Sequence, residues 1–161
     1  MRIEIFSNLS EPLKKELNIK KDFQSLVQLH DEINKKTIQS LAVPFFNISI
    51  SDNNQKIVFI AFEDNDIVGS LCLGYEKEER SSFNKCCWLM KNIGVAKSHQ
   101  GRHFSTAMIK SMFETADNLG ISGISQTYYS TLGWKRVKNN FAKYSELYPQ
   151  VKFIDGKRRF E

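Results

Sequence analysis

The segment Val95–Lys110, VAKSHQGRHFSTAMIK, joins two different patterns. Before it, KCCWLMKNIGV (Lys85–Val95) is a run of strand character. After it, from Phe104 to Asn118, the residues Ala107, Met108, Ser111, Met112, Ala116 and Leu119 fall on one face of a helix, and Gly120 is a good stop. Between the two stand only a few small and basic residues. A helix N-terminus leaves backbone N–H groups unpaired and carries partial positive charge, so a corner of this kind attracts phosphate. Gln100-Gly101-Arg102 adds a flexible turn and a permanent cation. The corner therefore reads as a phosphate-binding site, with a plain solvated strand-to-helix turn as the other reading.

Outward from this corner the chain alternates strands and helices. RIEIF (Arg2–Phe6) alternates as a first strand. Ser10-Glu11-Pro12 starts a helix, with proline in the first turn. Asp22 is placed to cap a longer one, in which Phe23, Leu26, Val27, His30, Ile33, Thr37, Ile38 and Leu41 recur at helical spacing. His30 lies on that apolar face and reads as a core or boundary residue. KIVFIAFE (Lys56–Glu63) and DIVGSLCLGYE (Asp66–Glu76) are strands joined by the tight turn Asp64-Asn65. Lys77–Asn84 is a polar loop, and Cys86–Val95 is the next strand. After the helix come a short strand, ISGIS (Ile121–Ser125), one helical turn, TYYSTLG (Thr127–Gly133), and a last strand beginning at WKRV. The tail through KFIDGKRRF does not declare itself. No repeat or domain boundary interrupts the chain, so residues 1–161 read as a single α+β domain.

A chain of 161 residues buries enough surface to need no metal or disulfide staple. Its three cysteines are an odd number, and adjacent Cys86 and Cys87 point to opposite faces of a strand. With histidine only at 30, 99 and 103 there is no zinc spacing, so buried structural thiols and no metal are expected. No apolar run approaches the length of a membrane span, and no charged-then-apolar leader opens the sequence. A cytoplasmic protein without membrane contact is expected. The net charge of +5, spread along the chain, leans toward an anionic partner.

The residues from Val95 to Ser105 resemble the cofactor motif of the GNAT acyltransferase superfamily. In that motif a strand ends in valine, and Gln or Arg, then glycine, then a further small residue follow at set spacing. Gln100 fills the first place, His103 stands where glycine is usual, and Ser105 replaces the last small residue. Downstream, Tyr128-Tyr129-Ser130-Thr131-Leu132-Gly133-Trp134 resembles the family's aromatic-Tyr-x-x-Leu-Gly-aromatic signature, followed by the basic Lys135-Arg136-Val137. The resemblance implies a mixed, mostly antiparallel central sheet flanked by helices, with a V-shaped splay between its fourth and fifth strands. It implies acetyl-CoA, or another acyl-CoA, as co-substrate. The pyrophosphate would lie on the amides of Gln100, Gly101, Arg102, His103, Phe104 and Ser105, with Arg102 and secondarily Lys97 adding charge. The pantetheine arm would pair with main-chain groups near Ile93 and Val95. Tyr129 would be the general acid that protonates the leaving thiolate.

Three features depart from the family pattern. His103 replaces glycine, only Ile121–Thr127 separates the long helix from the tyrosine turn, and Cys86–Val95 carries no carboxylate to serve as base. The nearest acids are Glu76, Glu78 and Glu79. The implied activity is N-acylation of a primary amine by direct attack. The acceptor is a protein, a small amine or a nucleic acid, and the chain a monomer or homodimer. The short segment before Tyr128 and the tryptophan after Leu-Gly also resemble the DNA-modifying, Mom-like branch. A binding module that keeps this fold without turnover is the alternative from another class.

Overall fold

The computed structural model describes residues 1–7, 21–22, 55–75, 88–126 and 131–154. Seven strands form one sheet: β1 (Arg2–Ser7), β2 (Lys21–Asp22), β3 (Lys56–Glu63), β4 (Asp66–Tyr75), β5 (Trp88–Val95), β6 (Gly123–Gln126) and β7 (Lys152–Ile154). Their order across the sheet is β2-β1-β3-β4-β5-β6-β7. The long pairings, β1–β3, β3–β4 and β4–β5, are antiparallel, and the short outer ones are parallel. Two helices lie among the described residues, α1 (Phe104–Asn118) and α2 (Thr131–Leu147). This is the expected mixed α+β architecture. Because β2 adds a strand, the expected fourth and fifth strands are β5 and β6.

The β3–β4 hairpin follows directly from its sequence. Asp64 adopts φ 53°, a left-handed value that a short polar residue tolerates, and Glu63 then pairs with Asp66. Strand alternation puts Ile57, Phe59, Ala61, Leu71 and Leu73 on one face, where they join Met108, Ile109, Met112 and Phe113 of α1 in a single core. Val58, Ile60, Cys72 and Leu89 belong to the opposite face and are buried as well, which is why β3 reads as a continuous apolar run. The expectation of a buried structural thiol holds at Cys72; Cys86 and Cys87 lie outside the described residues.

Helix α1 has the limits its periodicity gave, but its buried face is rotated. Ile109 and Phe113 are fully buried, whereas Ala107 and Ser111 are only half-buried. The cause is α2, which packs beside α1 and covers a second stripe of it.

Helix α2 also corrects the reading of WKRV as a strand: Trp134–Val137 are helical, and Gly133 lies inside the first turn rather than ending one. The signal was present further on. Val137, Phe141, Tyr144 and Tyr148 recur at helical spacing, and all four are buried or packed against the core. Phe113 lies 6.3 Å from the Tyr144 ring, 6.4 Å from Tyr148 and 6.2 Å from Phe153 of β7. Phe141 and Phe153 stack at 4.3 Å. The ambiguous tail thus holds the rest of α2 and then a strand, β7, fastened by aromatic packing to both helices. Burial pushes the Tyr148 hydroxyl above its ordinary range, with Glu114 and Asp117 nearby acting in the same direction.

Asp22 is in extended β2 beside Ser7, a conformation that a capping residue also has. The helices expected from Ser10 and from Asp22, together with His30, Glu76, Glu78 and Glu79, lie outside the described residues. No described helix is long and apolar enough to cross a membrane.

Candidate active site

Strand β5 changes neighbours along its length. On one side it pairs with β4 throughout, with an irregularity between the Cys72–Asn92 and Leu73–Met90 partners that leaves Lys91 as the extra residue. On the other side it pairs with β6 only at Leu89–Ser125 and Met90–Gln126. Strand β6 is described as far as Gln126; from Ile93 to Val95 no described strand lies on that side, and these residues are half-buried. Among the described residues, β5 thus has no strand beside it on that side from the bulge to the corner.

The corner is built from main-chain conformation. Ala96 is anchored by its N–H to the Val68 carbonyl at 2.7 Å, and Lys97–His99 form a single 3₁₀ turn. Gly101 then takes φ 79°, with open space where a Cβ would sit, so the dihedral rather than crowding favours glycine there. His103 takes φ 67° and ψ 15° directly before α1. This accounts for the glycine usual at that place: the position is left-handed. Histidine tolerates such a φ better than most side chains do. Replacing His103 with glycine is expected to leave the melting temperature unchanged or raise it. His103→Val should cost about 1–2 kcal/mol, measured by thermal unfolding.

The first helical hydrogen bond of α1 runs from Ala107 N–H to the His103 carbonyl. The amides of Phe104, Ser105 and Thr106 lie ahead of that bond and are not used by the helix. Of the other residues expected at the corner, Gln100 turns its side-chain amide back to donate to the Val95 carbonyl at 3.2 Å. It thereby occupies one of the main-chain groups expected to meet a ligand. Lys97 is exposed.

Arg102 has a partner that the sequence did not reveal. Its guanidinium grips Glu63 at the end of β3 with both terminal nitrogens, Nη1 to Oε2 at 3.1 Å and Nη2 to Oε1. It also lies over the Phe104 ring. His99 donates from Nε2 to the same carboxylate at 2.7 Å, and the Ser98 hydroxyl is 2.7 Å from its Nδ1. Glu63 is thus the tie between the hairpin and the corner. The Arg102 hydrogen bonds are the main cause that holds its carboxyl below the ordinary 4.5, aided by His99 and opposed by partial desolvation. A depressed carboxylate stabilises the fold above its unfolded value and loses that contribution as pH falls through the folded one. Wild type should therefore melt higher than Glu63→Gln at neutral pH, and the gap should close below about pH 4.5, as read from melting temperatures across pH.

Tyr128 and Tyr129 lie outside the described residues; α2 begins at Thr131, two positions beyond Tyr129. Among the described residues no cluster of three or more His, Cys, Asp and Glu side chains is arranged to hold a metal ion.

Residues 23–131, more than half of the chain, match the acetyltransferase (GNAT) family, and the chain belongs to it. It is by that membership an acyltransferase. No curated protein sequence matches the chain. Solved structures similar to it include an aminoglycoside acetyltransferase from an uncultured soil metagenomic sample, in complex with trehalose. That protein is 18% identical, with 89% of this chain and 86% of the other covered and a TM-score of 0.46. Tetrahymena GCN5 is 14% identical over 89% of this chain and 78% of its own, with a TM-score of 0.46. A protein of Clostridium acetobutylicum described as a predicted acetyltransferase, solved with acetyl-CoA, is 18% identical. There the coverage is 86% and 88%, and the TM-score 0.47.

Proposed function

We propose that the chain transfers an acetyl or other acyl group from acyl-CoA to a primary amine. The observation that carries this is the continuity of two ligand-shaped features. The β5 edge from Ile93 to Val95, which has no strand beside it among the described residues, leads straight into a corner whose left-handed Gly101 and His103 precede amides that α1 does not use. An amide-rich pantetheine arm suits such an edge, because exposed strand groups recognise extended main-chain-like ligands. A pyrophosphate suits the amides from Gln100 to Ser105.

In the reaction the amine nitrogen attacks the thioester carbonyl carbon, the carbon–sulfur bond breaks, and the nitrogen loses a proton to water or an acceptor-side base. The departing sulfur takes a proton from the Tyr129 hydroxyl. Main-chain N–H groups along β5 polarise the carbonyl, and positioning supplies the rest. The exposed lysines Lys135, Lys138 and Lys143 of α2 favour an acceptor that carries negative charge.

Calorimetry of the purified chain with acetyl-CoA and with CoA tests the reading. Micromolar binding of both is expected, and the absence of binding overturns it. Two variants then divide the role of Arg102. If its guanidinium reaches the phosphates, Arg102→Ala weakens CoA binding by roughly tenfold. Glu63→Gln, which removes the competing carboxylate, tightens it. An affinity that neither variant moves would make the pair a purely structural tie.

A further inference from the structure

We infer that the exposed face of α2 is a surface for the phosphate backbone of a nucleic acid, a role independent of the acyl-CoA reading above. From Thr131 to Ser145 the helix carries Lys135, Arg136, Lys138 and Lys143 and no acidic residue; its one acid is Glu146, in the last turn. Lys135, Lys138 and Lys143 are exposed, and among the described residues none of the three has an ion pair. This placement works against the helix itself. Lys135 and Lys138 are three positions apart, where like charges repel, and no acid stands three or four residues from either of them. The basic residues also crowd toward the N-terminal half, whose partial charge is already positive. Cations set against the stability of their own helix point to an anionic partner.

The packing decides where this face lies. Asn140 donates from Nδ2 to the Thr106 hydroxyl at 3.0 Å, beside the start of α1, whereas Tyr144 and Tyr148 meet Phe113 further along it. The two helices therefore run the same way. Lys138 and Lys135, about 3 and 8 Å of helix rise before Asn140, stand toward the end of the molecule that holds the corner. The exposed acids of the two helices, Glu114, Asp117 and Glu146, lie toward the other end. Asp64 and Asp66 are exposed in the β3–β4 turn, but β5 and β6 separate that hairpin from β7, on which α2 packs through Phe141 and Phe153. The kind of anion follows from what accompanies the lysines. Their exposed neighbours are Asn139 and Ala142, and among the described side chains of the two helices Leu147, at the far end of α2, is the only large apolar one exposed. A protein interface is anchored by large side chains, and a helix lying on a membrane inserts them. Charge without such an anchor suits a phosphate backbone.

Fluorescence anisotropy with a labelled DNA duplex of about 20 base pairs tests this on wild type and on Lys135→Gln/Lys138→Gln, between about 50 and 200 mM salt. Wild type should bind, more weakly as salt rises. The double variant should bind about tenfold more weakly at the lower salt and lose about 2 from the slope of log affinity against log salt, since each phosphate contact contributes about 0.9. Its melting temperature should equal or exceed that of wild type, because a like-charge pair is gone. No binding by wild type, or an affinity and slope that the variant leaves unmoved, overturns the inference. Displacement of the duplex by saturating CoA also overturns it, because the lysines would then belong to a nucleotide site. Equal binding of poly-glutamate, equally weakened in the variant, overturns it in favour of an acidic protein. Calorimetry with CoA separates the two proposals. Wild type that binds the duplex in the expected way but not CoA supports this surface and overturns the acyl-CoA reading alone; binding of CoA without the duplex overturns this inference alone.

Discussion

Replacing Tyr129 with phenylalanine should lower turnover by about 10²–10⁴-fold while leaving acetyl-CoA affinity in place, the range that a positioned proton donor contributes. The reasoning is chemical. A thiolate leaves more readily when a proton reaches sulfur as the bond breaks. The ring of Tyr129 stays the same size in the variant and only the donor is lost, so ground-state binding has no reason to change. Steady-state release of CoA thiol gives the rate, and calorimetry gives the affinity. A fall in rate matched by an equal loss of affinity would mean that Tyr129 holds the substrate rather than protonates it. A rate equal to wild type would remove it from the mechanism.

The second large effect concerns the scaffold. Phe113→Ala should destabilise the chain by about 3–5 kcal/mol, as large aromatic truncations in a closed core do. Phe113 is fully buried and is the point where α1, α2 and β7 meet through the rings of Tyr144, Tyr148 and Phe153. The cavity left by its ring would be walled by other rigid rings, which collapse poorly around a gap. Denaturant unfolding measures the loss. Phe113→Leu, which refills much of the volume, should recover a good part of it. A loss below about 1 kcal/mol for the alanine variant would mean that α2 and β7 contribute little to the cooperative fold.

These two residues also mark what could be read from the sequence. Helix α1 was legible to its ends because a long apolar stripe, a terminal glycine and an abrupt change of period all agree. The β3–β4 hairpin was legible for the same reason, since two apolar runs flank a two-residue polar turn. Helix α2 was misread at its start. The glycine at 133 looked like a terminus, and the basic run after it looked like the start of a strand, whereas the decisive spacing of Phe141, Tyr144 and Tyr148 comes later. Packing of the later turns of α2 against α1 outweighs one residue of low helix propensity.

At the site, the corner was found from local pattern, and its left-handed positions were hinted at by Gly101. The clamp of Glu63 on Arg102 and His99 was not, because it joins residues 39 and 36 positions apart whose types are ordinary on any surface.

The position of β5 within the sheet has a bearing on aggregation. Unpaired strand edges are templates for adding another chain, and sheets usually blunt them. The outermost strands described here are β2 and β7, with two and three residues, and exposed Lys152 sits on the latter. Along β1, where β2 does not cover it, Arg2 and Glu4 form an ion pair. The stretch of β5 that lacks a described strand on one side lies inside the sheet instead, beside β6. Short outermost strands and a recessed inner stretch thus both withhold main-chain groups from the strands of a neighbour, a protection against aggregation that comes from topology.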